Sequence, residues 1–364
     1  MKDPLLEEID RGRQGLNQGL SLGLPKLEDL TDGVTKSTCV LLFAGTGVGK
    51  SSAMLYAYVY KPISEHLEDG KIEITLFALE MAKTFVEAKL MSIYIKEHFN
   101  YTLTAKVILG RKKGYRMTDE EYDYVLKALP WIQKVRRVLH IIERRVSSDG
   151  AYRIILETLE RNGTFTDVEH HTGYVPNNPD KVLLTITDHM GLLKTEGGRN
   201  KKGEIDRYSS MQVSIRNRTG MSFLNLMQIN RAGSSMDRKR LGYNEPMIDD
   251  IKESGGPSED SEIILALYNP QSDHLSTYRD YDIKKLESHC RSWICLKNRY
   301  GESNAADICY FDGATGIFRE LPPPEEINDY DNIFSDNQTS DNHNLDNHEI
   351  DNSNNQLENL TFIL

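Results

Sequence analysis

One stretch limits the possible folds more than any other: residues 38–52, TCVLLFAGTGVGKSS. The apolar run over 39–43 has the length of a buried strand. It empties into a glycine-rich loop, Ala44, Gly45, Thr46, Gly47, Val48 and Gly49, closed by Lys50, Ser51 and Ser52. Small apolar residues over 52–59 then read as a buried helix. Strand, glycine loop, Gly-Lys-Ser and helix is the layout of a phosphate-binding P-loop. The glycines let backbone N–H groups converge on an anion, and the helix N-terminus adds partial positive charge. Lys50 is expected to reach the β- and γ-phosphates, and the Ser51 hydroxyl to ligate Mg²⁺. Ala44 stands where the pattern begins with glycine, which leaves the cradle geometry intact. A mere flexible turn would not explain a strand before the loop and a helix after it. The chain is expected to bind a nucleoside triphosphate.

At 364 residues, with 38% hydrophobic and 27% charged content, the chain has material for one large core or two modest ones. It opens with no secretory signal, and no apolar run approaches the ~20 residues that span a bilayer. Cys39, Cys290, Cys295 and Cys309 lack C-x-x-C spacing and read as reduced core residues. These features predict a cytoplasmic protein with no membrane partner. The net charge of −11 argues against nucleic acid only until its distribution is seen. Ten acids and no Lys or Arg lie in 321–364, so residues 1–320 are nearly neutral. Basic loops there can still make a local positive channel.

Along the chain, residues 1–20 carry a short amphipathic segment with Leu5, Leu6 and Ile9 on one face, too short to be stable undocked. A second strand, 72–79, runs into Glu80 and a helix through about Ile95. A carboxylate at that strand end suits a water-activating base, and equally a helix-start acid satisfying the dipole. Thr118 to Glu121 is a capping box opening another helix, on which Trp131, Ile132 and Val135 form a core face. A strand over 138–142 and a helix over 151–159 follow. Residues 162–180, with His170 and His171, read as a surface insertion without the third ligand a metal site needs. The strand 182–188 ends in Asp188, the Walker B pattern, which places that carboxylate in a Mg²⁺ shell. A basic loop over 194–202 comes next, and a helix over 205–218. Three more strands are expected at 222–227, 263–267 and 292–296, the last pairing with 307–311 as a hairpin. Polar groups at successive strand ends, the last being Gln228, define a single crevice. From Leu321 onward the Asn/Asp-rich composition predicts disorder.

Six motifs in one order are more specific than a P-loop alone: 44–51, 77–81 (FALEM), 187–189 (TDH), 228–231 (QINR), 250–255 (DIKESG) and 297–301 (KNRYG). Together they resemble the ATPase domain of DnaB-type replicative helicases over about residues 20–320. The resemblance implies an α/β fold with a RecA-like P-loop NTPase core: a mostly parallel central sheet flanked by helices, a C-terminal β-hairpin and a disordered tail. It implies three segments: a linker, 1–20, packing on a neighbouring subunit; the ATPase domain, 21–320; and an acidic tail, 321–364. It further implies ATP and Mg²⁺ as cofactors, single-stranded DNA as partner and a homo-oligomeric ring, typically a hexamer. Glu80 matches the catalytic base, Gln228 the γ-phosphate sensor, and Lys297 and Arg299 the pair that reaches a neighbour's site. Lys252, Glu253 and Gly255 match the channel loop that holds DNA. Arg199, Lys201 and Lys202 lie in the other channel-facing loop, whose residues do not match individually.

Lys252 departs from the usual Arg, keeping charge without the bidentate fork, and 257–260 differ from the usual pattern. The helical amino-terminal domain of cellular relatives is not in this sequence, which resembles compact phage helicases; a viral origin would put the protein in host cytoplasm. The tail is a candidate docking point for a primase, loader or polymerase. The KNRYG motif also resembles RadA-type recombination ATPases, whose zinc module and protease-like domain are not found here. A third reading is an ATP-gated DNA clamp or recruitment protein that does not unwind. The set Lys50, Glu80, Asp188 and Arg299 argues against it.

Overall fold

The computed structural model describes residues 3–229, 245–251, 255–330 and 333. Met1–Glu326 form one unit and Ile327–Leu364 a second; the elements below belong to the first. β1 (Cys39–Ala44) and β2 (Ile72–Ala78) are buried at every residue, and β3 (Leu139–Ile142) lies at an edge. β4 (Gly163–Asp167) and β5 (Thr172–Pro176) form a separate antiparallel hairpin. β6 (Val182–Asp188), β7 (Ser222–Gln228) and β8 (Ile263–Tyr268) complete the buried set. β9 (Thr277–Tyr278) and β10 (Tyr281–Asp282) make a two-stranded ladder, and β11 (Cys290–Asn298), β12 (Ala305–Phe311) and β13 (Phe318–Glu320) follow.

The main sheet has nine strands in the order β13-β12-β11-β8-β1-β7-β6-β2-β3. The six from β8 to β3 are parallel, and β11, β12 and β13 add on antiparallel. Continuous apolar strands of this kind need cover on both faces, and helices supply it. The principal ones are α1 (Pro4–Arg13), α2 (Pro25–Thr31), α3 (Lys50–Ala53), α4 (Lys61–His66), α5 (Lys83–Phe99), α6 (Ala105–Ile108), α7 (Asp119–Val135), α8 (Ser148–Asn162) and α9 (Lys201–Thr219). Between α3 and α4 the chain is π-wound over Met54–Tyr60, and all seven residues are buried. Thr118 makes the expected capping box at α7. Trp293, Phe43, Phe77, Phe223 and Phe318 are fully enclosed, and truncating one such ring costs about 3–5 kcal/mol. No helix among the described residues is long and apolar enough to cross a membrane.

Two expectations are extended by the structure and one is corrected. Residues 162–180, expected as a surface insertion, hold the separate, largely exposed β4–β5 hairpin. The C-terminal hairpin is a three-stranded meander: β13 pairs with β12, Cys309 opposite Glu320. Lys201 and Lys202 are not loop residues. They open α9, because the Asn200 side chain caps it by accepting from the Gly203 N–H. α1 exposes Leu5, Leu6 and Ile9 and is held by an Arg11–Asp180 ion pair of 2.7 Å.

Candidate nucleotide site

Four parallel strands end along one edge of the sheet, and the candidate residues emerge there. Ala44 lies opposite Gln228 across β1 and β7, and Ala78 opposite Asp188 across β2 and β6. The ladder continues past the strands: Leu79 N–H donates to Asp188 O at 2.9 Å, and Ile229 N–H to Ala44 O at 3.2 Å. The P-loop, Gln228, Asp188 and Glu80 therefore border one crevice outside the carboxyl ends of the strands, where ligands of such sheets bind.

Gly49 has φ 108°, a backbone region that L side chains avoid, and a Cβ there would meet the Phe311 ring at 3.2 Å. Thr46 and Gly47 are exposed at the loop tip, and Gly45 and Val48 are half-buried. Lys50 opens α3 and is buried, its Nζ 3.4 Å from Asp188 Oδ1. Asp188 is fully buried, and its Oδ2 has no hydrogen-bond partner among the described residues. An orphaned carboxylate oxygen in such a place is expensive unless something binds it. With the half-buried Ser51 beside Lys50, it supplies the hard oxygen donors that Mg²⁺ prefers. Glu80 is exposed, in the bend between β2 and α5.

Sequence reasoning missed Lys89. From α5 its Nζ donates to Ser52 Oγ at 3.1 Å, adding a second cation to the P-loop. Burial lowers its pKa, and the charge of Asp188 opposes that shift. The available signal was a lysine set between Ala88 and Leu90, both buried, on the helix that follows Glu80.

A family model described as the DnaB-like helicase C-terminal domain matches residues 19–319. The chain belongs to that family. Curated relatives include the replicative DNA helicase DnaB of Helicobacter pylori, 20% identical over 251 residues, covering 69% of this chain and 43% of the relative. That of Mycoplasma pneumoniae is 22% identical over 328 residues, covering 88% and 61%. The chain thus spans about half the length of the curated relatives it matches. Among solved structures, one of an isolated ATPase domain superposes with a TM-score of 0.66 at 17% identity, covering 88% of this chain and all of that one. A DnaB-like replicative helicase studied with primase gives 0.64 at 17% identity, covering 88% and 69%. The shared fold is the RecA-like ATPase core.

In this DnaB-like domain Lys297 and Arg299 do not join the crevice. Lys297 is on β11 opposite Ile264, and Asn298 opposite Ile263, which itself lies opposite Val40 at the start of β1. The P-loop begins four residues further on, ~13 Å along the strand. Lys297 Nζ donates to Ser258 O at 2.8 Å and Glu259 O at 3.2 Å. Arg299, half exposed, pairs with the fully buried Glu262 at 3.0 Å, which also pairs with Arg216 and accepts from Cys39 N–H. The expected DNA contacts divide. Gly255 begins a short helix, Gly255–Asp260, and a Cβ on it would lie 3.6 Å from Lys202, so those two share a surface. Lys202 is exposed at the start of α9. Arg199 instead pairs with Glu204 at 2.7 Å and Asp149 at 3.3 Å, and Lys201 Nζ donates to Leu193 O. Both are engaged internally because the fold brings acceptors beside them, which spacing does not reveal. Asn230, Arg231, Lys252 and Glu253 lie outside the described residues. Among the described residues no group of three or more His, Cys, Asp or Glu is arranged to hold a metal.

Proposed function

We propose that this chain is the ATP-driven motor of a replicative DNA helicase. It acts in the cytoplasm as a homo-oligomeric ring, typically a hexamer, around single-stranded DNA. One observation supports this most: Lys50, Asp188, Glu80 and Gln228 border one end of the sheet, while Lys297 and Arg299 stand at the other. A single copy does not complete its own site, whereas a neighbour presenting its opposite end can.

Lys50 leaves Asp188 for the phosphates when nucleotide enters, and Gln228 contacts the γ-phosphate. Ser51 and Asp188 would hold Mg²⁺, which would neutralise the charge developing on the phosphates. Exposed Glu80 accepts the proton of the attacking water. Arg299 of the adjacent copy steadies the transition-state charge, an effect worth about 10³–10⁵ in rate. Lys202 and Gly255 line the channel, and Lys202 and Lys252 supply positive charge for DNA phosphates, so affinity falls steeply with salt and varies little with sequence. Linker 1–20 packs on the next subunit through Leu5, Leu6 and Ile9. The acidic tail recruits a primase, loader or polymerase. The test is unwinding of a forked duplex beside ATP turnover with and without single-stranded DNA. DNA-stimulated turnover with strand separation is expected; full-speed turnover by a monomer indifferent to DNA would defeat the proposal.

A further inference from the structure

Arg291 is an arginine buried against the back of the P-loop, with 4% of its surface exposed. Its Nε donates to Val48 O at 2.5 Å, inside the loop, and its Nη1 donates to Ser288 O at 2.8 Å and Cys290 O at 2.7 Å. The guanidinium lies 4.8 Å from the centre of the Phe311 ring, the same ring that abuts Gly49. All three of these acceptors are main-chain carbonyls, and no carboxylate pairs with it among the described residues. The contrast is Arg216, also enclosed but paired with Glu262. Burial pushes the pKa of Arg291 down to about 10, so it is still charged near neutrality. A buried charge with only neutral partners is costly, and a chain that retains one has an anion for it.

The triphosphate supplies that anion. Val48 C=O and Gly49 N–H belong to one peptide, so a cation bonded to the carbonyl polarises the N–H and strengthens it as a donor. We propose that Arg291 is a positioning residue for nucleotide: a fixed positive charge behind the P-loop, transmitted through the Val48–Gly49 peptide and balanced by the bound phosphates. This rests on the nucleotide reading above and adds a residue that no motif contains. Because phosphates are present in both ground and transition states, Arg291 acts on binding more than on chemistry.

The test uses the full chain with R291Q, which keeps amide donors for the carbonyls but removes the charge, and R291K, which keeps the charge but not the fork. Steady-state ATP turnover with single-stranded DNA and the Kd for a fluorescent ADP are measured for each. R291Q should raise KM and Kd about tenfold or more, the scale of a charge-assisted hydrogen bond, with kcat within about twofold. R291K should restore most of the affinity. If R291Q does not fold, R291M, a second neutral replacement, is read the same way. Equal behaviour of the neutral and lysine variants, or a fall in kcat at unchanged KM, would overturn the inference. Failure of the unmodified chain to bind ADP would instead bring down the nucleotide reading itself.

Discussion

The two ends of the parallel sheet carry the same kinds of side chain in opposite states of satisfaction. At the amino ends of the strands, Glu73 on β2 receives His140 at 3.2 Å, Arg161 at 3.2 Å and Lys181 at 2.7 Å. Glu262, just before β8, holds Arg216, Arg299 and the Cys39 N–H. At the carboxyl ends, Asp188 has one long contact to Lys50 and an oxygen with none, and Glu80 faces solvent. Saturated carboxylates hold strands in register, whereas an incompletely bonded one keeps capacity for a ligand. Burial and acidity do not separate the two roles. Unused bonding capacity does.

This contrast can be broken by substitution. Lys50→Ala removes the cation of the unsaturated end, and ATP turnover should fall to background while the melting temperature stays near wild type. Steady-state hydrolysis beside thermal unfolding checks it. Arg299→Ala should slow turnover by about 10³–10⁵ with nucleotide binding retained, measured as kcat against ADP affinity. A proportional loss of binding would place Arg299 with the structural charges instead.

The saturated end should fail differently. Glu73→Gln should cost about 2–4 kcal/mol at pH 7 and leave turnover per folded molecule unchanged. Burial alone would raise the Glu73 pKa, but hydrogen bonds from His140 and Lys181 and the charge of Lys181 outweigh it and hold the carboxyl well below its usual range. A depressed folded pKa stabilises above the unfolded value, ~4.3 for glutamate, and the contribution is lost as pH falls through the folded one. The gap between wild type and Glu73→Gln should therefore be full above about pH 5 and shrink on acidification, as read by denaturant unfolding across pH. The smallest effect is expected at the proposed channel. Lys202→Ala should lower the salt slope of single-stranded DNA binding by about one, whereas Arg199→Ala should lower the melting temperature and leave that slope unchanged.

Much of the site was legible because its signals are local. Strand, glycine loop and Gly-Lys-Ser are contiguous, and Asp188 and Gln228 close buried strands whose apolar runs mark their own ends. The β4–β5 hairpin was hidden by polar residues, with only Gly163 and Phe165 buried along β4. β13 is three residues long and has too little pattern to stand out. Lys89 and Arg291 were missed because their partners, Ser52 and Val48, are 37 and 243 residues away in the chain.

The sequence by itself determined the P-loop, the α/β class and the ordered motifs, since each depends on neighbours within one turn or one strand. Tertiary structure alone decided which charges are spent and which are free. It paired Glu262 with Arg299, turned Arg199 inward, and set behind the phosphate loop an arginine that donates to main-chain carbonyls. The physical reason is that desolvation and ion pairing depend on distances in space, and strand order in a crossed-over sheet makes those unrelated to distances along the chain.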